Sequence, residues 1–279
     1  MSSLSRRAFL AGVAATVATA VALRSDRFAV AVRRYSVPVA NLPAAFEGFT
    51  FLHLSDLHDK RFGPGQRDLL ALIVRDRFDA VALTGDFIQY HQPQLVPALE
   101  LVAALREWPI FFVNGNHEWH AHFKYRFREQ LLEAGVRILK NRAEAMERGR
   151  GRLWIAGVDD PVTGRMDAAA ALGGTDDGSP VVLLAHAPLA FPAAVQAGVA
   201  LMLAGHTHGG QVRLPVLGSP YVSGMGFFPR WDYGMFREGR TTLIVSAGLG
   251  ETRLPIRINS RPEIAFVTLR TARVGAGLS

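Results

Sequence analysis

Five short clusters of metal-capable side chains punctuate the sequence: Asp56-Leu57-His58, Thr84-Gly85-Asp86, Asn114-Gly115-Asn116-His117-Glu118, His186, and Gly205-His206-Thr207-His208. The chain has no cysteine. That removes disulfides, thiolate metal sites and cysteine nucleophiles, and leaves nitrogen and oxygen as the only metal ligands. One ligand per side chain gives Asp56, His58, Asp86, Asn116, His186, His206 and His208. That set is too large for one first-row ion and suits two, with Asp86, central in the sequence order, as the natural bridge. Two ions about 3.5–4 Å apart can hold a shared hydroxide and neutralise phosphate oxygens during in-line attack. If Asn116 enters the metal shell, its neighbour His117 on an extended turn points elsewhere. His117 is then free to protonate a leaving oxygen as a general acid.

The elements that must position these groups are legible as alternating patterns. Thr50–Leu54, Ala80–Leu83 and residues 110–113, 181–185 and 200–203 are short and largely apolar, as strands buried on both faces of a sheet are. Each ends in one of the clusters, and in α/β sheets ligands gather beyond the carboxyl ends of the strands. Three of the ligands follow a glycine, which is expected to permit the tight turn that aims the next side chain over the sheet edge. Between the strands, residues 65–77, 94–107 and 122–134 read as helices, the last closed by Gly135. Residues 28–39 are β-like, and residues 153–158, 241–245 and 264–269 read as further strands with little helix between them. There is no internal repeat, low-complexity tract or linker. The fold class is α/β, with mixed sheets at the centre and helices outside, in one domain over residues 26–279.

Residues 1–25 read as an address. Ser5-Arg6-Arg7-Ala8-Phe9-Leu10 leads into an apolar run over 9–23, and Ala18-Thr19-Ala20 and Ala20-Val21-Ala22 offer small-residue cleavage sites. The arginine pair resembles a twin-arginine export signal, whose machinery is then a partner and which carries proteins already folded. The alternative is a membrane anchor, and an uncleaved signal would tether the chain. Either way the catalytic body is expected outside the cytoplasmic membrane. The formal charge is +7, and removal of residues 1–22 takes Arg6 and Arg7 away and leaves +5. A basic surface favours anionic partners. The arginines form no stripe with interleaved aromatics, which argues against nucleic acid.

Taken together and in order, Asp56-x-His58, Gly85-Asp86, Gly115-Asn116-His117-Glu118, His186 and Gly205-His206-x-His208 resemble the calcineurin-like metallophosphoesterase superfamily. The resemblance implies a four-layer α/β/β/α sandwich of two mixed β-sheets flanked by helices. It implies one metal on Asp56, His58, Asp86 and His208, a second on Asp86, Asn116, His186 and His206, and His117 as the acid. The segments 205–211 and 246–250, with Arg257 and Pro262-Glu263-Ile264, resemble a branch of exported or membrane-anchored bacterial phosphodiesterase-like proteins. Some relatives of that kind cleave the pyrophosphate of lipid-linked nucleotide sugars, as UDP-diacylglucosamine pyrophosphatases do. Related phosphatases often carry an aspartate three residues after the bridging one, to orient the acid histidine. Gln89 stands there in this chain. A glutamine can accept a hydrogen bond from the imidazole but does not stabilise the imidazolium as a carboxylate does.

The expected activity is hydrolysis of a phosphodiester, pyrophosphate or activated phosphomonoester by a dinuclear centre of Mn²⁺, Fe or Zn²⁺ through a metal-bridging hydroxide. Two alternatives are a membrane-surface hydrolase of a lipid-linked nucleotide, favoured by any apolar groove that includes Phe227 and Phe228, and a metal-binding module without catalysis. The other polar residues have quieter expectations. His53 belongs to the core or stands behind the site. His91, His120 and His122 are solvated, and Glu118 orients its turn. Arg61, Arg253 and Arg257 are loop cations expected at the surface, with phosphate contact as the alternative. The aromatic run 227–231 covers the site, touches lipid or simply packs.

Overall fold

A computed structural model describes Gly12 and residues 27–121, 124–252 and 255–272. Apart from Gly12, the leader over residues 1–25 lies outside the described residues, as do His122 and Arg253. Among the described residues no helix is long and apolar enough to cross a membrane.

The chain runs β1 (Ala31–Val39), β2 (Thr50–Leu54), α1 (Arg67–Ile73), β3 (Ala80–Leu83), α2 (Val96–Ala104), β4 (Ile110–Phe112), α3 (Asn116–His120), α4 (Lys124–Glu133) and β5 (Arg137–Ile138). It continues through β6 (Arg142–Arg148), β7 (Gly151–Gly157), α5 (Ala168–Leu172), β8 (Val181–Leu184), α6 (Phe191–Gln196) and β9 (Leu201–Ala204). A small hairpin of β10 (Tyr221–Val222) and β11 (Gly226–Phe227) precedes β12 (Gly234–Glu238), β13 (Thr241–Val245) and β14 (Glu263–Thr271).

Two mixed sheets result. The first has the order β1-β14-β2-β3-β4-β5, with β14 antiparallel to β2; the second has the order β12-β13-β9-β8-β7-β6, antiparallel at both ends. Period-two alternation decides which way each side chain faces. In β3, Ala80 and Ala82 face the second sheet, while Val81 and Leu83 pack under α1 and α2. In β9, Leu201 and Leu203 face the first sheet, while Met202 and Ala204 pack against α5 and α6. Three apolar layers therefore separate four layers of structure. Helices α1, α2 and α4 contribute Leu69, Leu101 and Phe127 to one layer; Phe51, Phe111, Ile155 and Ile244 fill the middle one; Ala171, Phe191 and Ala194 serve the third. This is the expected α/β/β/α sandwich of two mixed β-sheets.

Boundaries moved where sequence pattern is weakest. The helix expected over 65–77 shortens to Arg67–Ile73, preceded by a 3-10 turn at Pro64–Gln66. Gly135 does follow α4, with φ +80°. The strand β6 shows no run of buried apolar side chains because it is a sheet edge, with three of its seven side chains exposed and the other four half-buried.

Candidate metal centre

The five strand tips meet, and backbone hydrogen bonds hold them together. Past β2, Asp56 N donates to Gly85 O (2.9 Å) and His58 N to Asp86 O (3.0 Å), so the tip of β2 stays zipped to that of β3. Glu118 on α3 accepts from Asp86 N, Phe87 N and Gly115 N, each at 2.8 Å, which ties the β3 and β4 tips to one carboxylate. His206 N donates to both oxygens of Asp56 (3.1 and 3.0 Å), joining the second sheet to the first. Gly205 N donates to His186 O at 2.8 Å.

The glycines act differently from expectation. Only Gly85 uses a left-handed turn, with φ +85°. Gly115 has an ordinary φ of −100°. It is needed for space, since a Cβ there would stand 2.2 Å from Asp86 Oδ1. Gly205 is likewise outside the left-handed region, and a Cβ on it would meet Ser55 Oγ at 1.9 Å and Asp56 Oδ2 at 2.3 Å. The left-handed conformations fall on the metal-capable residues themselves: Asp56 (φ 51°), His58 (47°), Asp86 (54°), His206 (68°) and His208 (51°). Such backbone costs on the order of 1 kcal/mol per residue and persists only where the surroundings enforce it.

All seven ligand candidates and His117 converge. Asp86 Oδ2 lies 3.2 Å from His186 Nε2, 3.7 Å from His58 Nε2 and 3.9 Å from His117 Nε2. On one side, Asp56 Oδ1 is 3.4 Å from His208 Nε2 and 3.9 Å from His58 Nε2, and the two imidazole Nε2 atoms face each other at 3.1 Å. On the other, His186 Nε2 faces His206 Nδ1 at 3.1 Å and Asn116 Oδ1 at 3.2 Å. Trios Asp56–His58–His208 and Asp86–His186–His206 each have ligand atoms within 4.8 Å of one another, and so does His58–Asp86–His117. His117 is therefore within reach of the cluster. It differs from Asn116 in direction because both open the helix α3, where neighbours diverge by helical rotation and not by the expected extended turn.

Second hydrogen bonds set the tautomers. His186 Nδ1 faces Thr84 O (2.8 Å), and His208 Nδ1 faces Gly250 O (3.2 Å), so each turns its Nε2 to the cluster. His206 is reversed: Nε2 faces Ser223 O (2.9 Å) and Nδ1 points inward. His117 Nδ1 accepts from Tyr90 N at 3.3 Å, which leaves its proton on Nε2, toward the site. These backbone partners have no residue-type signature and were invisible in the sequence.

Burial sets the charges. It drives His58 down to about 3, and His208, with His58 beside it, falls well below its ordinary value. His206 keeps an edge toward the groove, yet desolvation and His186 bring it to about 4. His117 is lowered by burial as well. Burial pushes Asp56 up to about 6 and Glu118 to about 7, the latter helped by Asp86. For Asp86 burial also opposes the charge, but His186, His117 and His58 outweigh it and hold the carboxyl well below its usual range. His186 shows the converse: burial disfavours its charge, and Asp86 overrides that, raising it to about 10. Buried carboxylates facing imidazole nitrogens, with N and O donors alone, form the kind of set that divalent first-row ions take. The residues fit the implied metals.

A cavity of 810 Å³ opens over this floor, with Asp86, Asn116, His117, His206 and His208 below and Val212, Pro220, Tyr221, Val222 and Ile256 on the walls. The aromatic run contributes nothing to those walls. Phe227 packs on Tyr221 with ring centroids 5.2 Å apart, Trp231 packs on Phe191 at 5.3 Å, and Phe227 and Phe228 are exposed. Gln89 does not reach His117; its side chain donates to Glu251 O (3.3 Å). His53 is buried, its Nε2 paired with Thr84 Oγ1 (2.8 Å), one step behind the site. His91 and His120 are exposed. Arg61 is exposed and pairs with Glu100, whereas Arg257, expected at the surface, is wholly buried.

Fold and site define a metal-dependent phosphoric ester hydrolase. Residues 49–210 match the family model described as calcineurin-like phosphoesterase, and the chain belongs to that family. It is 27% identical to the metallophosphoesterase YkuE of Bacillus subtilis, over 97% of this chain and 99% of that protein. It is 29% identical to phosphodiesterase YaeI of Escherichia coli, over 95% and 99%. To metallophosphoesterase YkoQ of Bacillus subtilis it is 31% identical, over 81% and 84%.

Proposed function

We propose that the protein is a dinuclear phosphodiesterase or pyrophosphatase. One observation carries the reading: Asp86 Oδ2 stands between two histidine groups, 3.2 Å from His186 on one side and 3.7 Å from His58 on the other, where a bridging carboxylate belongs. Asp56, His58, Asp86 and His208 would hold one divalent ion, and Asp86, Asn116, His186 and His206 the other. Mn²⁺, Fe and Zn²⁺ all suit this N/O set. Bound ions supply Lewis acidity toward phosphoryl oxygens and lower the pKa of a coordinated water. The protein's own contribution is position. His117, at the floor of the cavity, directs an Nε2–H toward the place where the leaving oxygen separates and donates a hydrogen bond to it. With Tyr90 N–H on its other nitrogen and no carboxylate behind it, that imidazole favours leaving groups that depart with little protonation, such as a nucleotide phosphate or a phenolate.

A second reading narrows the substrate to a phosphoester carried on a lipid. The cavity walls are largely apolar, and Tyr221 on them and Phe227 packed against it are both exposed. On that reading acyl chains lie against Val212, Val222 and Ile256, and the enzyme works at a membrane surface. Adding acyl chains to an otherwise identical substrate is then expected to lower KM about tenfold or more, the scale of burying a few methylene groups. Equal KM values with and without the chains would remove this reading.

The leader 1–25, with its Arg6-Arg7 pair, supports export of the folded body 26–279 by the twin-arginine machinery, with retention at the membrane where the signal is not cleaved. The founding test pairs metal analysis of the purified protein with hydrolysis of bis(4-nitrophenyl) phosphate and 4-nitrophenyl phosphate. Two metal equivalents, diester turnover and its abolition in Asp86→Ala are the expected results. Folded protein that takes up neither Mn²⁺ nor Zn²⁺ would refute the proposal.

A further inference from the structure

Arg257 is among the largest side chains with no solvent exposure. Burying a guanidinium is costly unless its donors are met. Here backbone carbonyls meet two of its three nitrogens, while Nε is buried without a partner among the described residues: Nη1 donates to Ser260 O (3.1 Å), and Nη2 donates to Ala247 O (2.9 Å), Gly248 O (3.2 Å) and Gly250 O. An apolar side chain could occupy the same space without that desolvation. What only the planar, multi-donor guanidinium can do is draw several carbonyls toward one centre.

Those carbonyls belong to the segments that support one half of the metal centre. Gly250 O also faces His208 Nδ1 at 3.2 Å, the contact that turns the bare Nε2 inward. Ser260, whose carbonyl Arg257 holds, donates its hydroxyl to His208 O at 2.8 Å. Ring and backbone of His208 are thus both fastened to groups that one buried cation holds. The same loop reaches Asp56: Leu249 N donates to Ser55 O (3.0 Å) and Gly250 N to Asp56 O (2.5 Å), while a Cβ on Gly248 would stand 2.7 Å from Asp56 Cβ. His186 and His206 donate their second hydrogen bonds elsewhere, to Thr84 O and Ser223 O.

We propose that Arg257 is a positioning residue for the Asp56–His58–His208 half of the metal centre, acting through the carbonyl of Gly250 and through Ser260 to fix the His208 ring. The inference rests on the reading of His208 as a ligand, and it predicts an asymmetric defect. Partners that orient a ligating histidine are worth about 10- to 100-fold in metal affinity. In Arg257→Met, one of two Mn²⁺ sites weakens by about that factor while the other stays close to wild type; Arg257→Lys, which keeps a cation and some donors, falls between.

The experiment is Mn²⁺ titration of the full chain by calorimetry, with the unfolding midpoint measured in chelator alongside. Selective weakening of one site, partly restored in Arg257→Lys, supports the proposal. Two sites unchanged, or both weakened equally, would show Arg257 to be a plug for the core and overturn it. Should Arg257→Met not fold, Arg257→Lys and Ser260→Ala decide on the same criterion, the latter removing only the hydroxyl on His208 O. Wild-type protein that binds fewer than two Mn²⁺ would instead refute the dinuclear reading itself.

Discussion

His117 shows how much a single hydrogen bond can settle about a residue's chemistry. Its type and place suggested an acid, and the absence of a carboxylate at Gln89 suggested a weakened one. In the structure a different contact bears on that expectation. Tyr90 N–H occupies Nδ1 (3.3 Å), and Gln89 is engaged with Glu251 O. A neutral ring with Nε2–H can donate a hydrogen bond at little cost, whereas giving up that proton would leave an unfavourable anion. His117→Asn is accordingly expected to lower kcat about 10²-fold or more on an alkyl diester and distinctly less on a 4-nitrophenyl diester, with metal content unchanged. A loss that is the same for both leaving groups, in rates measured at saturating substrate, would show that His117 does not act on the departing oxygen.

At the scale of elements, the short helix α3 matters more than its length suggests. It carries Asn116 and His117, and through Glu118 it gathers the amides that end β3 and begin α3 itself. An acceptor-only carboxylate serves these donors; an amide offers one acceptor and brings two donors of its own. Hydrogen bonds to a charged group are worth about 1.5–3 kcal/mol each, so Glu118→Gln is expected to lose about 2–3 kcal/mol of stability in urea unfolding measured well above pH 7, where this raised carboxyl is ionised, together with metal affinity. Wild-type stability in that variant would mean that the turn holds its shape unaided. The sequence placed the strand tips well because apolar runs ending in polar ligands are a local pattern. It misjudged two of the glycines, since the need for space at Gly115 and Gly205 comes from Asp86 and Asp56, which approach from other strands. The edge strand β6 escaped notice because a partly exposed edge has no run of buried apolar side chains to read.

For the whole molecule, the site is a place where the fold works against itself. Five left-handed backbones, two buried carboxylates and opposed imidazoles are concentrated where the two sheets meet. Three apolar layers hold them there. Divalent cations held between the carboxylates and imidazoles are expected to ease that conflict and to bind the folded state, since the unfolded chain lacks the assembled site. At a concentration about 100 times Kd, one such site adds about 2.7 kcal/mol. For a chain of this size that corresponds to a rise of about 5–10 °C in the unfolding midpoint, read by calorimetry with Mn²⁺ against chelator. An unchanged midpoint would mean that the ions bind folded and unfolded chain alike, or not at all.

The sequence by itself determined the α/β class, the strands that carry the site, the metal-capable side chains and their order, and the exclusion of thiol chemistry. All of these follow from local periodicity and from residue type. Tertiary structure alone decided which ring nitrogen of each histidine faces inward, that Gly115 and Gly205 serve space and not conformation, that Gln89 leaves His117 to a backbone amide, and that Arg257 lies in the core. The physical reason is common to all four. Each depends on a carbonyl, an amide or a side chain brought close from a distant part of the chain, and backbone groups are the same in every residue, so no pattern of side chains announces where they will stand.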